Sequence, residues 1–255
     1  MGNVHLAIDA DSFIYGSCLC SKDDDEEGFV RDIDEAIFRF NEKFMKVVNE
    51  LEETYSFNVP PFDEPEAPIF FIKGKGNFRD FIYKSYKKKR KKRKLPPLLG
   101  ELTTYVRETY NTFTADNVEV DDVVASYWKK YQDLNGRESI IITGNDKDYF
   151  QLPALIFDTY FKRMELNDVT EELANYNYAC QLVSGDTADE YNFLKGYGVK
   201  KFEKFYKEHQ DTLSPYEAAK LLYKEKAPED WRYYFEMANL MAKLRTDLLT
   251  IPNIF

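Results

Sequence analysis

The stretch VHLAID, residues 4 to 9, is a short apolar run that ends in an acid. Such a run is typical of a strand buried on both faces of a sheet, and Asp9 would then lie at the carboxyl end of that strand. Three more stretches have the same character: IFFI (69 to 72), SIIITG (139 to 144) and ALIFDTY (154 to 160). The sequence therefore predicts four buried strands.

Helical patterns separate these strands along the chain. Residues 31 to 54 carry apolar side chains at close to the helical period, residues 96 to 110 open with two prolines, and residues 121 to 131 repeat the helical pattern. Strands that alternate with helices indicate a largely parallel central sheet flanked by helices. In such an α/β fold the functional groups lie at the carboxyl ends of the strands.

From about residue 170 the strand signals end, and helices joined by short turns continue to the C-terminus. We find neither an internal repeat nor a flexible linker. The sequence therefore predicts an α/β core over residues 1 to 169 and a helical region over residues 170 to 255 that packs on it.

The composition is that of a globular chain: 255 residues, of which 44% are hydrophobic, suffice for a sizeable core. The longest apolar runs are too short to cross a membrane, and the acid-bearing start is unlike a signal peptide, so we expect a cytoplasmic protein. Three cysteines and two histidines do not provide the ligand set of a structural zinc site. A monomer is the simplest expectation.

The charge is unevenly distributed, although the formal net charge is −10. Residues 73 to 94, here called the basic segment, hold twelve Lys or Arg against the single acid Asp80, which leaves −21 for the rest of the chain. Its centre reads YKKKRKKRK, residues 86 to 94. A segment of this kind attracts nucleic-acid phosphates, although a solvated loop or a localisation signal has the same composition.

Acids recur at the predicted strand ends and helix starts. Each one alone could cap a helix, but a group of carboxylates without histidine or cysteine is typical of a magnesium or manganese site. Two such ions ~4 Å apart can activate a water molecule and stabilise the leaving oxygen of a phosphodiester. The candidate ligands are Asp9, Glu119, Asp121, Asp122, Asp146, Asp148, Asp186 and Asp189.

Five motifs together resemble the structure-specific 5′ nucleases, the flap endonuclease and 5′→3′ exonuclease family, and most nearly its short bacteriophage members. The motifs are LAIDADSF, the YK-x-x-R element of YKKKR, VEVDDVV, ITGNDKDYFQL and LVSGDTADEYNFLKGYGVKK. Their order along nearly the whole chain is specific, whereas any one of them alone is weak. The resemblance implies a PIN-like 5′-nuclease fold with a helical arch and a helix-three-turn-helix.

The resemblance also implies roles for individual residues. Asp9, Glu119, Asp121 and Asp122 would hold the first of two Mg²⁺ or Mn²⁺ ions, with Asp146, Asp148, Asp186 and Asp189 near or between the two, and Asp11 nearby in a supporting position. Residues 75 to 95 would form the arch that admits a single-stranded 5′ end. Lys87 and Arg90, with Asp146 and Asp148, would act at the reacting phosphate. The predicted nucleic-acid contacts are Arg79, Tyr86, Lys87, Lys88, Lys89, Arg90, Gly196, Gly198, Lys200 and Lys201.

Two departures from the family pattern bear on activity. The family has an aspartate after the second strand, where this chain has Ile72, Lys73 and Gly74. The hairpin motif is also altered, with Glu190 and Phe193 where asparagine and glycine are common.

The function implied is a metal-dependent 5′→3′ exonuclease or flap endonuclease that acts on DNA with 5′ ends, flaps or nicks, and on the RNA strand of RNA–DNA hybrids as a further candidate. Two alternatives stay open: a catalytically weakened DNA-binding relative, and a PIN-type ribonuclease. The exonuclease-to-endonuclease preference is left open as well.

Overall fold

The chain was analysed as a computed structural model, which describes residues 3–64, 66–159 and 164–248. A six-stranded sheet lies at its centre, with the strand order β3-β2-β1-β4-β5-β6. Strands β1 to β5 are parallel, and β6 pairs with β5 in the antiparallel direction. The strands are β1 (His5–Asp9), β2 (Ile69–Lys73), β3 (Thr112–Ala115), β4 (Ile140–Gly144), β5 (Leu155–Asp158) and β6 (Glu165–Asp168).

Helices cover both faces of the sheet and form the C-terminal part of the described chain. They are α1 (Ala10–Ser17), α2 (Ile33–Glu53), α3 (Phe78–Ile82), α4 (Leu99–Thr109), α5 (Val120–Asn135), α6 (Glu171–Ser184), α7 (Val199–Lys207), α8 (Pro215–Lys226) and α9 (Trp231–Ala242). Short 3-10 segments lie at Arg90–Lys92, Arg137–Ser139 and Lys147–Gln151. The predicted parallel sheet flanked by helices is confirmed.

Alternate residues of the strands enter two different cores because side chains point to opposite faces of a sheet. Leu6 and Ile8 of β1 pack in a cluster with α1, α2 and α4, whereas Ala7 packs in a second cluster with Trp128 of α5. All five residues of β1 are buried. Burial on both faces explains why the central strands read as continuous apolar runs rather than as alternating ones.

A third cluster joins helices α6 to α9. Phe202 of α7 and Tyr223 of α8 are completely buried in it, and Tyr223 donates a hydrogen bond of 2.7 Å to the carbonyl oxygen of Leu182. Helix α6 also packs against the Lys147–Gln151 segment that follows β4. The C-terminal helices therefore lie directly against the carboxyl end of the sheet.

The structure adds two strands that the sequence did not predict, β3 and β6. Both are edge strands with few apolar residues, and their pairing partners rather than their own composition hold them in the sheet. The last residue of the strand predicted over 154 to 160 lies outside the described residues. Among the described residues, the helices are either too short or too polar to cross a lipid bilayer.

His5 lies between two aromatic rings at the end of the sheet where β1 begins. Its ring stacks on Tyr131 at 4.7 Å, its Nε2 lies 2.9 Å from the hydroxyl of Tyr127, and its Nδ1 lies 3.0 Å from the carbonyl oxygen of Glu66. Burial lowers the pKa of His5 below 6.5, although the Glu66 carbonyl and carboxylate oppose this shift. The folded protein therefore holds His5 as the neutral imidazole.

We expect this burial to make folding sensitive to acid. Because folding lowers the pKa of this histidine, the unfolded chain binds a proton there more readily than the folded protein. The contribution of neutral His5 to the free energy of unfolding is complete above the unfolded pKa and is lost as the pH falls through the folded pKa. The limiting slope is ~1.4 kcal/mol per pH unit. Urea denaturation of the wild type and of His5→Phe from pH 7.5 to 5 measures this contribution. We expect the wild type to lose more stability than the variant below pH 6.5, and parallel curves would contradict the assignment.

Candidate active site

The predicted acids converge where the parallel strands end. Asp9 ends β1, Glu119 and Asp121 lie at the start of α5, and Asp146 follows β4, the neighbour of β1 in the sheet. The hydroxyl of Tyr149 donates a hydrogen bond of 3.0 Å to Asp9 beneath these carboxylates. Residues separated by more than a hundred positions in sequence thus share one edge of the sheet.

The group is completed by acids from the C-terminal helical region. Asp186 and Asp189 lie in the loop after α6, and the backbone amide of Asp189 donates a bond of 3.0 Å to the Asp186 carboxylate. Burial would raise the pKa of Asp186, but Lys147, which pairs with it at 2.6 Å, and the backbone amides of Asp189 and Ala188 together lower it. We call the following residues the carboxylate site: Asp9, Glu119, Asp121, Asp146, Asp148, Asp186 and Asp189.

Several of these carboxyl groups are close enough to repel one another. Burial, and then the charges of Asp11 and Asp146, raise the pKa of Asp9 to about 8. Burial and Asp146 likewise raise the pKa of Asp148 to about 8. The pKa of Asp121 is also raised, by burial and then by Glu119 and its neighbours. The nearby cations, such as Lys147, therefore do not fully compensate the carboxyl groups at the ends of β1 and β4.

A divalent cation fits this arrangement on structural grounds. Oδ1 of Asp148 is buried without a hydrogen-bond partner among the described residues. The cavity next to it measures about 430 Å³ and is lined by Asp146, Asp148, Asp186 and Asp189, together with Arg90. Lys147 lines the same cavity and pairs with Asp186. An orphaned carboxylate oxygen among several other carboxylates matches the ligand preference of Mg²⁺ or Mn²⁺.

Asp122, a predicted metal ligand, is held by a buried ion pair. One oxygen from each of Glu119, Asp121 and Asp122 lies within 4.8 Å of the others, as a metal site requires. However, Asp122 is completely buried, both of its oxygens accept hydrogen bonds from Arg79, and Oδ1 also accepts from the amide of Arg245 at 2.8 Å. Its charge is thus neutralised by a bidentate ion pair.

Arg79 was predicted to contact nucleic acid, and its position contradicts this prediction. Its exposed fraction is only 1%, and besides Asp122 it donates to Glu119 at 2.9 Å and to the carbonyl oxygens of Met241 and Lys243. The buried carboxylates attract the guanidinium inwards because an unpaired charge in the interior is costly. Arg79 therefore joins α3, the start of α5 and the end of α9.

Tyr86 was predicted to stack on an unpaired base, and it too is buried, with an exposed fraction of 2%. Its hydroxyl lies 2.6 Å from Glu119 and 3.0 Å from Asp189, and its ring belongs to the third hydrophobic cluster. The ring face is therefore unavailable to a base. Tyr86 instead links a carboxylate from the start of α5 to one from the loop after α6.

Lys87 and Arg90 lie at the carboxylate site. Nζ of Lys87 contacts Glu119 and lies 3.5 Å from Asp189, and Arg90 lies 3.3 Å from Asp189. Burial alone would lower the pKa of Lys87, but Glu119 and Asp189 outweigh it and raise that pKa to about 12. The same lysine holds the pKa of Glu119 below its usual range against the effect of burial.

A carboxylate lies beside the end of β2, where the sequence lacks the family's aspartate. Oδ1 of Asp11 accepts a hydrogen bond of 3.1 Å from the backbone amide of Lys73, the last residue of β2. Asp11 is in the first turn of α1, one strand away in the sheet. The end of β2 thus has a carboxylate beside it, supplied by a neighbouring element.

The predicted arch, residues 75 to 95, is helical only in part. It contains the short helix α3 and one 3-10 turn, and the remainder runs in turns. Lys87 adopts a positive φ of 51° within it, a conformation that interrupts a helix. The segment lies against the carboxylate site because Lys87 and Arg90 pair with acids there.

The two unusual hairpin residues hold the basic segment in place. Glu190 accepts a hydrogen bond from the amide of Lys89 and lies 3.6 Å from its Nζ, and Phe193 packs edge-on against Tyr83 at 5.4 Å. These contacts give the departures from the family motif a structural role in this chain. Lys88 and Lys89 keep their side chains exposed, as phosphate contacts require.

The predicted hairpin contacts lie at the start of α7. Gly196 and Gly198 face open space, Lys200 and Lys201 are exposed, and Lys201 donates to the carbonyl oxygen of Gly196 at 2.5 Å. A second cavity of about 360 Å³ extends from Asp148 to Val199 and shares Lys147, Asp148 and Phe150 with the first. The hairpin therefore adjoins the carboxylate site.

Sequence reasoning missed one acid at this edge. Asp158 ends β5, is 5% exposed and lines the same cavity as Asp146 and Asp148. Its signal was present, because Asp158 directly follows the apolar residues of the strand predicted over 154 to 160.

Comparison with known proteins agrees with this geometry. Residues 6–177 match the family model described as the 5′-3′ exonuclease, N-terminal resolvase-like domain. No curated protein matches the chain significantly.

Among solved structures, a bacteriophage T5 flap endonuclease variant in a complex with DNA and metal ions aligns with a TM-score of 0.64 at 13% identity, covering 95% of this chain and 89% of that chain. The T5 5′-exonuclease with bound zinc aligns with a TM-score of 0.58 at 15% identity, covering 96% and 86% respectively. The T5 protein co-crystallised with metal ions aligns with a TM-score of 0.60 at 16% identity, covering 95% and 89%. At these identities the structures show a shared fold.

The family match spans most of the chain. It includes the ends of β1 and β4 and the start of α5, which carry Asp9, Glu119, Asp121, Asp146 and Asp148. This protein therefore belongs to the 5′–3′ exonuclease family of nucleases.

Proposed function

We propose that this protein is a divalent-metal-dependent 5′ nuclease that hydrolyses phosphodiester bonds of DNA bearing 5′ ends, flaps or nicks. The observation that carries the proposal is the carboxylate site itself, where seven acids from distant parts of the chain meet beside a cavity. Among the described residues, Oδ1 of Asp148 and Oδ1 of Asp189 are buried there without a hydrogen-bond partner. Two Mg²⁺ or Mn²⁺ ions held there would neutralise the scissile phosphate and activate a water for in-line displacement.

The residues divide into two groups by position. Asp9, Glu119 and Asp121 would hold one ion, and Asp146, Asp148, Asp186 and Asp189 would hold the other or lie between the two. Asp11 would add negative charge at the end of β2, where its carboxylate already lies. Asp122 is excluded from the ligand set because Arg79 and the Arg245 amide occupy its oxygens.

The cations of the same site would position the substrate. Lys87 and Arg90 face the acids now, and a phosphate bound with its ions would offer them an alternative partner. Lys88 and Lys89 would bind the backbone of the single strand, while Gly196, Gly198, Lys200 and Lys201 would hold the duplex. The cavity that connects Asp148 with Val199 supports a substrate path between the two.

A panel of labelled substrates tests this proposal: a 5′-flap duplex, a nicked duplex, a blunt duplex, an RNA–DNA hybrid and single-stranded RNA, each with Mg²⁺ and with Mn²⁺. Cleavage at the flap junction identifies an endonuclease, and release from the 5′ end identifies an exonuclease. Binding without cleavage in both metals would instead indicate a DNA-binding relative, and cleavage of single-stranded RNA alone a PIN-type ribonuclease.

Gly198→Ala tests the duplex contact without disturbing the fold. Gly198 has a φ of −143° and open space where a Cβ would lie, so alanine should leave the free energy of unfolding within ~0.5 kcal/mol of the wild type. A phosphate that approaches the backbone closely would meet the new methyl group. Fluorescence anisotropy should show weaker binding of blunt duplex and unchanged binding of a single strand. Unchanged duplex affinity would place the duplex elsewhere.

A further inference from the structure

Helix α3 carries one large apolar side chain that is exposed to solvent rather than packed in the core. Phe81 is 83% exposed, more than any other large apolar side chain among the described residues. Its neighbours on the helix pack against the rest of the protein: Arg79 is buried, and Ile82 packs against the third hydrophobic cluster. An isolated exposed phenylalanine needs no explanation in general, but its surroundings here are specific.

The position of α3 is fixed from two sides. Arg79 ties it to Glu119 and Asp122, and Tyr83, directly after the helix, packs on Phe193 of the loop before α7. Phe81 lies two residues from Arg79, about 3 Å along the helix axis. Helix α3 is therefore held between the carboxylate site and the loop before α7, and the ring of Phe81 faces solvent.

The charge of the basic segment, which carries Phe81, favours a polyanion. The only acid of the basic segment, Asp80, is the preceding residue, and its carboxylate is paired with Lys91 at 2.6 Å. The side chains of Lys84, Lys88 and Lys92 in the same segment are exposed. An aromatic ring among solvated cations is the combination that binds single-stranded nucleic acid, because the bases stack while the cations neutralise phosphates.

We propose that Phe81 is a stacking platform for an unpaired base of a 5′ single strand as that strand approaches the carboxylate site. This inference rests on the proposed nuclease function and adds to it a residue that binds the unpaired part of the substrate. The ring of Tyr86, the aromatic side chain of the YK-x-x-R element, is buried and cannot take that role. Phe81 supplies the exposed ring instead, five residues earlier in the chain.

Binding of fluorescein-labelled DNA to Phe81→Ala, with calcium in place of magnesium, tests the inference. Loss of one stacked base should weaken binding of a 5′-flap duplex by about 5- to 100-fold and leave binding of the matching blunt duplex unchanged. Phe38→Ala is the matched control, because Phe38 on α2 is also exposed, at 60%, but lies outside the basic segment. Equal affinities of wild type and Phe81→Ala for the flap would overturn the inference, and so would an equal loss on flap and blunt duplex.

A direct optical measurement uses Phe81→Trp and Phe38→Trp. Stacking on a base should quench the added tryptophan of the Phe81 variant, but not that of the Phe38 variant, when an oligothymidylate is titrated against each and the wild-type signal is subtracted. An unquenched Phe81→Trp in a protein that still binds the oligonucleotide would show that the ring has another partner, such as an apolar protein surface, and would overturn the inference. A wild type that neither binds nor cleaves the flap would contradict the proposed function itself.

Discussion

Replacing Asp146 with asparagine is expected to reduce the rate of flap cleavage by ~100- to 1000-fold, the loss that follows removal of one strong electrostatic group from an active site. Asp146 is close to acids of both groups, since its charge raises the pKa of Asp9 and Asp121 in the first group and of Asp148 in the second. Its loss should therefore affect both. Initial rates on a 5′-labelled flap duplex with saturating Mg²⁺ measure the effect.

The same substitution should not unfold the protein. Removing one of several repelling carboxylates lowers the electrostatic cost of the metal-free fold, so the free energy of unfolding of Asp146→Asn should equal or exceed that of the wild type. Asp211→Asn, which removes the same charge from an exposed position after α7, should leave the rate unchanged. A fully active Asp146→Asn would show that Asp146 takes no part in catalysis.

Arg79→Met is expected to lower the free energy of unfolding by ~3–5 kcal/mol, the usual cost of removing one partner from a buried ion pair. The substitution leaves Asp122, which is completely buried, and Glu119, which is 7% exposed, with less positive charge beside them. It also removes the hydrogen bonds to the carbonyl oxygens of Met241 and Lys243. Urea denaturation at pH 7.5 measures the loss.

A double variant separates the ion pair from the packing of the side chain. Asp122→Asn in the Arg79→Met background removes the stranded charge, so it should restore part of the lost stability. Arg39→Met removes a half-buried arginine that pairs with Glu35 one helical turn away and donates a hydrogen bond to the carbonyl oxygen of Leu19, and it should cost only about 1 kcal/mol. If Arg79→Met lowered the free energy of unfolding as little as Arg39→Met does, the conclusion that the buried ion pairs of Arg79 stabilise the fold would be contradicted.

The central strands and the main helices could be predicted because their signals are local. The apolar runs before Asp9 and Gly144 mark strands buried on both faces, and the apolar period of α2 marks one face of a helix. Strands β3 and β6 could not be predicted in this way, because TFTA and ELND have weak patterns and depend on pairing with β2 and β5. Edge strands are defined by their neighbours.

The site was predicted in its composition but not in all of its contacts. Acids that end buried strands could be grouped from the sequence, since parallel strands bring their carboxyl ends to one edge. The burial of Arg79 and Tyr86 could not be predicted, because only the fold brings each of them to its partner. Arg79 binds Asp122, 43 residues away, and Tyr86 binds Glu119, 33 residues away. The position of Asp11 beside Lys73 likewise follows from strand pairing rather than from local sequence.

The most direct test of the account is the rate at which chelator-treated protein cleaves a 5′-flap duplex before and after Mg²⁺ is restored. We expect no cleavage in chelator and recovery of cleavage at the flap junction or the 5′ end with Mg²⁺ or Mn²⁺. Cleavage that persists unchanged in chelator, or a protein that binds the flap but stays inactive with both metals, would contradict the claim that the acids at the strand ends form a metal-dependent nuclease centre.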